Sequence, residues 1–190
     1  EVHCMVAAWE WPSYMEPEAR EKGIKVKLSS YTRQVRNPVS SAKVNGNYVH
    51  SIVALNEAMS EGFDEALMLD AEGNIAEGSG ENFFIVKDNI LITPDLDASL
   101  DGITRRTILD LAKELNINFE IKKLKVEDVR EADEAFFSGT AAEVVPINSL
   151  DNKQIGKGVR GPITEQLQRT YFDQVRGVRE GNQNWHTFVE

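Results

Sequence analysis

The sequence predicts an α/β fold with mixed α+β character, built as one domain from 190 residues. Strand-like and helix-like patterns are interspersed along the chain without a strict β-α-β alternation, and this favours the mixed class. No internal repeat or low-complexity linker divides the sequence. Hydrophobic residues make up 41% of the chain, which is enough to bury one sizeable core.

The first half of the chain changes from a strand period to a helix period. Apolar and polar side chains alternate from Ile24 to Ser29, as in a half-buried strand. From Asn47 to Glu61 the apolar residues recur at helical spacing, and Gly62 ends the pattern. The residues of this stripe are Tyr48, Ile52, Leu55 and Met59. Three strands are then expected to form a meander, at Ala66 to Leu69, Asn82 to Val86 and Ile90 to Thr93.

The patterns in the second half of the chain predict further helices and strands. Helices are expected at Thr104 to Leu115, Val126 to Glu131 and Ile163 to about Val175. Strands are expected at Phe119 to Lys123, Glu134 to Ser138 and Val144 to Leu150.

Charge and composition exclude several classes of partner. The formal net charge is -10, so the chain offers no basic field for nucleic acid or for an anionic membrane surface. No apolar run approaches the roughly 20 residues that span a bilayer. The single cysteine, Cys4, leaves no disulfide framework, which fits a reducing cytoplasm.

The apolar segment from Val2 to Trp9 predicts a buried strand in which Cys4 is a structural thiol. A strand already under way at the second residue suggests that an upstream region precedes it. Trp9, Trp11 and Trp185 are interpreted as packing residues.

Four short segments of polar and small residues interrupt the pattern at strand ends and helix starts, where binding sites are usually built. They are Ser41 to Tyr48, Glu77 to Asn82, Gly102 to Arg105 and Ser138 to Glu143. Each segment also fits an ordinary role when it is taken alone: a solvated lysine, a glycine turn, an N-cap threonine or a tight turn.

Each segment nevertheless has a chemical use. Lys43 lies just before a predicted helix, where the helix dipole disfavours a cation. Glycines around Glu77 would let a bound group approach the backbone closely. The N–H groups and hydroxyl at Thr104 suit a phosphate, and the turn from Gly139 to Ala142 could cradle a phosphate or a carboxylate.

Taken together and in order, the four segments resemble the large domain of fold type IV pyridoxal phosphate (PLP) enzymes, specifically the branched-chain amino acid aminotransferases. The matching sequences are Ala-Lys-x-x-Gly-Asn-Tyr, Glu-Gly-Ser-Gly-Glu-Asn-Phe-Phe, Gly-Ile-Thr-Arg and Ser-Gly-Thr-Ala-Ala-Glu. The resemblance runs from about Lys25 to about Val175. It implies a pseudo-barrel of strands with surrounding helices, and a homodimer or higher homo-oligomer.

The resemblance also implies a role for each site residue. Lys43 is the catalytic lysine that holds PLP as a Schiff base, Tyr48 hydrogen-bonds the phenolic oxygen of the cofactor, and Glu77 faces its pyridine nitrogen. An anionic Glu77 would keep that nitrogen protonated, so that the ring can accept electrons. The other implied contacts are Ile103, Thr104 and Thr140 to the phosphate, Leu100 and Gly102 along the ring pocket, and the backbone of Ala141 and Ala142 to the substrate carboxylate.

The implied activity is transamination of leucine, isoleucine and valine with 2-oxoglutarate, giving the 2-oxo acid and glutamate. D-amino acid aminotransferases and aminodeoxychorismate lyases share the lysine, the glutamate and the Gly-Ile-Thr element. Three segments favour the branched-chain group: Gly46-Asn47-Tyr48, Gly80-Glu81-Asn82 and Gly139-Thr140-Ala141-Ala142.

The sequence departs from the family pattern in its extent. Family members carry an N-terminal small domain of roughly a hundred residues, which supplies an arginine to the phosphate, and residues 1–190 are expected to be the PLP-binding large domain without it. The alternative to an enzyme is therefore a catalytically inactive large-domain fragment or scaffold.

The remaining polar residues are expected to have no part in the site. Arg33 and Arg36 could approach a substrate loop, but a solvated loop pair is the favoured interpretation. His50 is interpreted as a surface or capping residue. No metal site is expected, because His3 and His186 share no ligand spacing with acidic residues or Cys4.

Overall fold

The computed structural model describes residues 2–10, 18–33 and 42–187. The strands are β1 (Ile24–Thr32), β2 (Glu65–Leu69), β3 (Ile75–Gly78), β4 (Asn82–Lys87), β5 (Ile90–Thr93), β6 (Phe119–Ile121), β7 (Glu134–Gly139), β8 (Glu143–Leu150) and β9 (Lys153–Gln154). The α-helices are α1 (Ala19–Lys22), α2 (Val49–Ser60), α3 (Ile103–Glu114), α4 (Val126–Arg130) and α5 (Pro162–Val175). Short 3₁₀ helices lie at Asn45–Tyr48 and Gln183–Trp185.

The strands form one curled, half-barrel sheet. Their order is β3-β2-β1-β8-β7-β4-β5-β6, and β9 pairs with β8. β1 runs parallel to both β2 and β8, and β5 runs parallel to β6, whereas the other pairs are antiparallel. This mixture of parallel and antiparallel pairs, with helices on the sheet, confirms the predicted mixed class and pseudo-barrel.

The meander prediction is wrong for β2. Three strands, β1, β8 and β7, separate β2 from β4, and β2 instead pairs with the unpredicted strand β3. Hydrophobic periodicity is local, so it could not show that β1 pairs with a strand from much later in the chain. The glycines around Glu77 also hid β3, since glycine weakens a strand pattern.

Two apolar clusters lie on opposite faces of the central strands. Phe83 and Phe137 belong to one cluster, while Phe84 and Phe136, whose rings stack at 4.8 Å, belong to the other. The second cluster also contains the buried faces of α3 and α5. Because side chains alternate along a strand, positions two residues from Phe84 and Phe136 face the same side, toward α3.

The N-terminal prediction is wrong. Residues 2–10 form no strand, and Val2 and Val6 are 96% and 92% exposed. Cys4 is an exposed free thiol rather than a buried one. Trp9 is 68% exposed, which contradicts its packing role, and Trp11 lies outside the described residues. An apolar run predicts burial only where another element covers it, and the sequence does not reveal that element.

Helix α2 is confirmed, but it buries a different face from the predicted stripe. Ile52 and Met59 are 57% and 60% exposed. The buried residues are Ser51, Ala54 and Ala58, and the two alanines pack against Ala66 and Met68 of β2. Small side chains on the inner face let the helix lie close to the sheet, so the larger side chains point away from it.

Candidate functional site

A cavity of about 280 Å³ lies where β7, the start of α3 and the segment before α2 meet. Residues from all four polar segments line this cavity, and six of them were predicted from the sequence: Lys43, Leu100, Gly102, Ile103, Thr104 and Thr140. The other lining residues are Gly80, Asn82, Asp101, Ser138 and Gly139. The fold thus brings together segments that are far apart in the sequence.

Lys43 and Tyr48 form a contact at one side of the cavity. The Lys43 Nζ donates a hydrogen bond of 2.8 Å to the Tyr48 Oη. The 3₁₀ turn Asn45–Tyr48 makes this possible, because it folds the chain back before α2 begins at Val49. An exposed amine and a phenol are therefore held side by side ahead of the helix.

Glu77 is buried at the end of β3 and is held by three groups. Its Oε1 lies 2.8 Å from the Arg33 Nε. Its Oε2 accepts hydrogen bonds from the Leu100 N–H at 2.8 Å and from the Asn82 Nδ2 at 3.3 Å. Burial raises the pKa of Glu77, whereas Arg33, the Leu100 N–H and Lys43 act to lower it. Leu100 and Asn82 link this carboxylate directly to the cavity wall.

The first turn of α3 offers backbone donors to the cavity. Gly102 is the N-cap residue and makes no side-chain cap bond, so the N–H groups of the first turn are free of the usual side-chain acceptor. A Cβ at Gly102 would lie 2.1 Å from the Asn82 Oδ1, so this approach requires glycine. The Thr104 side chain is buried and hydrogen-bonds Tyr171 of α5.

The end of β7 adds two hydroxyl groups. Ser138 is 1% exposed, and its Oγ has no hydrogen-bond partner among the described residues. Thr140 is exposed in the turn between β7 and β8. Ala141 and Ala142 lie in the same turn, where the side chain of Ala142 packs into the core, and neither lines the cavity. Their part in substrate binding stays a prediction.

Arg33 is a site residue that the sequence interpretation missed. Its side chain is only 11% exposed and is paired with Glu77, so the solvated interpretation is wrong. No sequence pattern pointed to it, because a single arginine after a strand carries no information about which buried carboxylate will face it. Arg36 lies outside the described residues.

These groups fit a pyridine cofactor that carries a phosphate. The amine of Lys43, the phenol of Tyr48 and the buried Glu77 carboxylate are the partners that its reactive carbon, its phenolic oxygen and its ring nitrogen need. The open first turn of α3 suits a phosphate, and so does the Ser138 hydroxyl, which has no partner within residues 2–10, 18–33 and 42–187.

A second buried carboxylate lies close to Glu77 but in different surroundings. Glu81 hydrogen-bonds the fully buried Glu65, and its Oε2 accepts a bond of 3.0 Å from the Gly80 N–H. Glu65 Oε1 accepts from the Ala66 N–H at 2.7 Å. Burial and the Glu65 carboxyl raise the pKa of Glu81 to about 8. These surroundings favour the protonated form of the Glu81 carboxyl at neutral pH.

Among residues 2–10, 18–33 and 42–187, no cluster of three or more His, Cys, Asp or Glu side chains could hold a metal ion. His50 is exposed on α2, as expected. No helix in the same ranges is both long enough and apolar enough to cross a membrane.

Comparison with known proteins places this site in a family. The branched-chain-amino-acid aminotransferase of Pseudomonas aeruginosa is 53% identical over the whole chain, which covers 62% of that protein. The Escherichia coli enzyme of the same name is 43% identical over 95% of the chain, which covers 59% of it. The chain thus spans about three fifths of the length of these curated relatives.

Solved structures agree with the sequence relatives. The crystal structure of the Escherichia coli branched-chain amino acid aminotransferase matches with a TM-score of 0.92 at 42% identity, covering 97% of this chain and 61% of that one. The branched-chain aminotransferase of Thermoproteus uzoniensis with norvaline matches with a TM-score of 0.87 at 41% identity, covering 95% and 59%. The family model for class IV amino-transferases matches residues 1–150. The chain is a member of the class IV aminotransferase family.

Proposed function

We propose that residues 1–190 form the PLP-binding large domain of an aminotransferase that acts on leucine, isoleucine and valine with 2-oxoglutarate. The observation that carries this proposal is the single cavity that gathers Lys43, Leu100 and the first turn of α3, with Glu77 bonded to its wall. The relatives named as branched-chain aminotransferases, at up to 53% identity, support the same conclusion.

Lys43 and Tyr48 are the groups that would hold and move protons at the reacting carbon. Bound PLP supplies an electrophilic carbon for the amino group and a ring that accepts the electrons of the substrate Cα–H bond. The Tyr48 hydroxyl, 2.8 Å from Lys43 Nζ, orients the amine. With PLP bound, the Lys43 amine would be the base that carries a proton away from the substrate Cα.

Glu77 and the first turn of α3 would hold the two ends of the cofactor. The Glu77 carboxylate would accept a hydrogen bond from a protonated ring nitrogen, and its contacts to Leu100 and Arg33 keep it in place. Backbone N–H groups at Ile103 and Thr104, with the hydroxyls of Thr140 and Ser138, would anchor the phosphate. This anchoring fixes the reacting carbon without taking part in the chemistry.

We also propose that the backbone of Ala141 and Ala142 receives the substrate carboxylate, that the protein is cytoplasmic and that it forms a homo-oligomer. The location is supported by the free thiol of Cys4, which suits a reducing compartment. Exposed apolar side chains on α2, such as Ile52 and Met59, support assembly with another subunit.

The test is a direct assay for the lysine adduct. Purified protein mixed with PLP should turn yellow, and borohydride should fix the cofactor on the peptide that carries Lys43. Lys43→Ala should lower transamination by about 10²- to 10⁴-fold while circular dichroism stays unchanged. The matched control is Lys157→Ala, which removes an exposed turn lysine.

Two outcomes would refute the proposal. Wild-type protein that stays colourless with added PLP would favour the inactive scaffold, and undiminished transamination by Lys43→Ala would remove the assigned lysine.

Comparison of L-leucine, L-isoleucine and L-valine with D-alanine as donors to 2-oxoglutarate tests the substrate class. A faster rate with D-alanine would favour the D-amino acid branch.

A further inference from the structure

Arg33 connects two parts of the candidate site that come from different regions of the chain. Its backbone N–H donates to the Leu69 carbonyl at 2.7 Å, which fixes the residue at the end of β1. Its side chain then reaches Glu77 of β3 through Nε at 2.8 Å. The Nη1 donates to the Asn47 carbonyl at 2.9 Å, in the turn that carries Tyr48.

Because this pair is buried, the attraction between its two charges is strong. Arg33 and Glu77 are only 11% and 6% exposed, so water screens their attraction much less than it screens a surface pair. Removal of one partner would leave the other charge buried without compensation. The guanidinium also lies 5.9 Å from the centre of the Tyr48 ring, within reach of a cation–π contact.

We propose that Arg33 is a positioning residue for the cofactor site, which keeps the Glu77 carboxylate ionised and holds the Asn47–Tyr48 turn beside it. Arg33 acts through Glu77 and this turn, and it does not line the cavity itself. The inference rests on the proposed function, because an ionised Glu77 matters to the chemistry only if a ring nitrogen is bound there.

The other groups that face Glu77 make Arg33 decisive. Lys43 is the second cation that acts on this carboxylate. It would be engaged with the cofactor and would lose charge during the reaction. Glu81 is the neighbouring acid, and its interaction with Glu77 is repulsive when both are charged. Arg33 is therefore the cation whose charge stays constant throughout the cycle, since guanidinium does not deprotonate in proteins.

The first experiment measures PLP affinity from about pH 5 to pH 9 in the full-length protein, by absorbance and fluorescence. Arg33→Met should move the acid limb of the affinity profile upward by about one pH unit or more, because Glu77 loses its neighbouring cation. Arg33→Lys should restore most of that shift. Titration of PLP itself is common to all variants and cancels in the comparison.

Two controls separate this role from general damage. In a Glu77→Gln background, Arg33→Met should cause no further shift, because the titrating carboxyl is gone. Arg160→Met removes a partly buried, ion-paired arginine that does not line the cavity and should leave the profile unchanged. An acid limb that stays in place in Arg33→Met would overturn the proposal.

A second experiment needs no cofactor, so it remains decisive even if the protein binds no PLP and the proposed function fails. The folded-state pKa of Glu77 lies above its ordinary value, and loss of Arg33 raises it further. The folded variant then retains a proton that the unfolded chain releases, so its stability falls as pH rises. The drop in melting temperature caused by Arg33→Met should be larger at pH 8 than at pH 5. A drop that is the same at both values would show a packing role only and would sink the inference.

Discussion

Glu77 and Glu81 are two buried carboxyl groups four residues apart around the connection from β3 to β4, and their surroundings act on their charge in different ways. Glu77 faces the guanidinium of Arg33 at 2.8 Å and the N–H of Leu100, whereas Glu81 faces the carboxyl of Glu65. One environment supports an anion and the other supports a neutral acid. Residue type and burial are the same, so the partner brought in by the fold decides the chemistry.

The difference follows from where each side chain meets the rest of the sheet. Glu77 lies at the end of β3, next to the end of β1 and the loop before α3. Glu81 lies just before β4, and its partner Glu65 starts β2. A site that needs a fixed negative charge can therefore keep a second acid close by, provided that this acid stays protonated.

The largest expected effect comes from replacing the Glu77 carboxyl with an amide, and the same change at Glu81 is its matched control. Glu77→Gln should lower the rate of leucine transamination by about 10²- to 10³-fold, because a fixed charge at the ring nitrogen is lost. Glu81→Gln should change the rate by less than about threefold, since the amide replaces an acid that is already neutral. Steady-state rates at pH 7 measure both effects. Equal losses in the two variants would break the comparison.

A smaller effect is expected from adding a side chain at Gly102, next to the amide that contacts Glu77. Gly102→Ala places a Cβ 2.1 Å from the Asn82 Oδ1 and must displace the amide that bonds Glu77 and the Leu100 carbonyl. We expect a loss of about 1–3 kcal/mol in the free energy of unfolding, measured with urea. Gly80→Ala is the control, because no atom in the described part of the chain lies within 4 Å of its added Cβ. A Gly102→Ala variant as stable as that control would contradict the close approach.

The smallest expected effect, taken per pH unit, is the pH dependence of stability that Glu81 contributes. Its folded-state pKa of about 8 exceeds its ordinary value of 4.5, so between these values the folded chain holds a proton that the unfolded chain has released. Stability should therefore fall by up to about 1.4 kcal/mol per pH unit as pH rises from 5 to 8. Glu81→Gln should flatten this slope in urea titrations at several pH values. A variant curve parallel to that of the wild type would mean that Glu81 is ionised.

Local patterns predicted much of the fold but not the way its strands meet. The alternation from Ile24 to Ser29 predicted β1, and the apolar spacing from Thr104 to Leu115 predicted α3 almost to its ends. Periodicity could not indicate that β1 pairs with β8, or that α2 buries its alanines rather than Ile52 and Met59. Those outcomes depend on what lies opposite each element, which a single segment does not encode.

The candidate site divides in the same way. The four polar segments predicted Lys43, Gly102, Thr104 and Thr140, which line one cavity. Arg33 was missed because its role exists only through its contact with Glu77. Ser138 and Asn82 lie inside two of the four polar segments. That they face α3 follows only from the alternation of side chains along β4 and β7. The roles of Ala141 and Ala142 in substrate binding stay predictions.

The position of β1 between β2 and β8 also has a consequence for folding order. β1 pairs with β8, and the Leu28 N–H donates to Asp151 across 123 residues of sequence. Contacts this distant require a large loop to close first, so they form late and slow the folding rate. The helices and the β4–β5 hairpin can form early. The middle of the sheet can form only when β8 is present to pair with β1 and β7. On the ribosome, the half-barrel can therefore close only after the β8 segment has emerged.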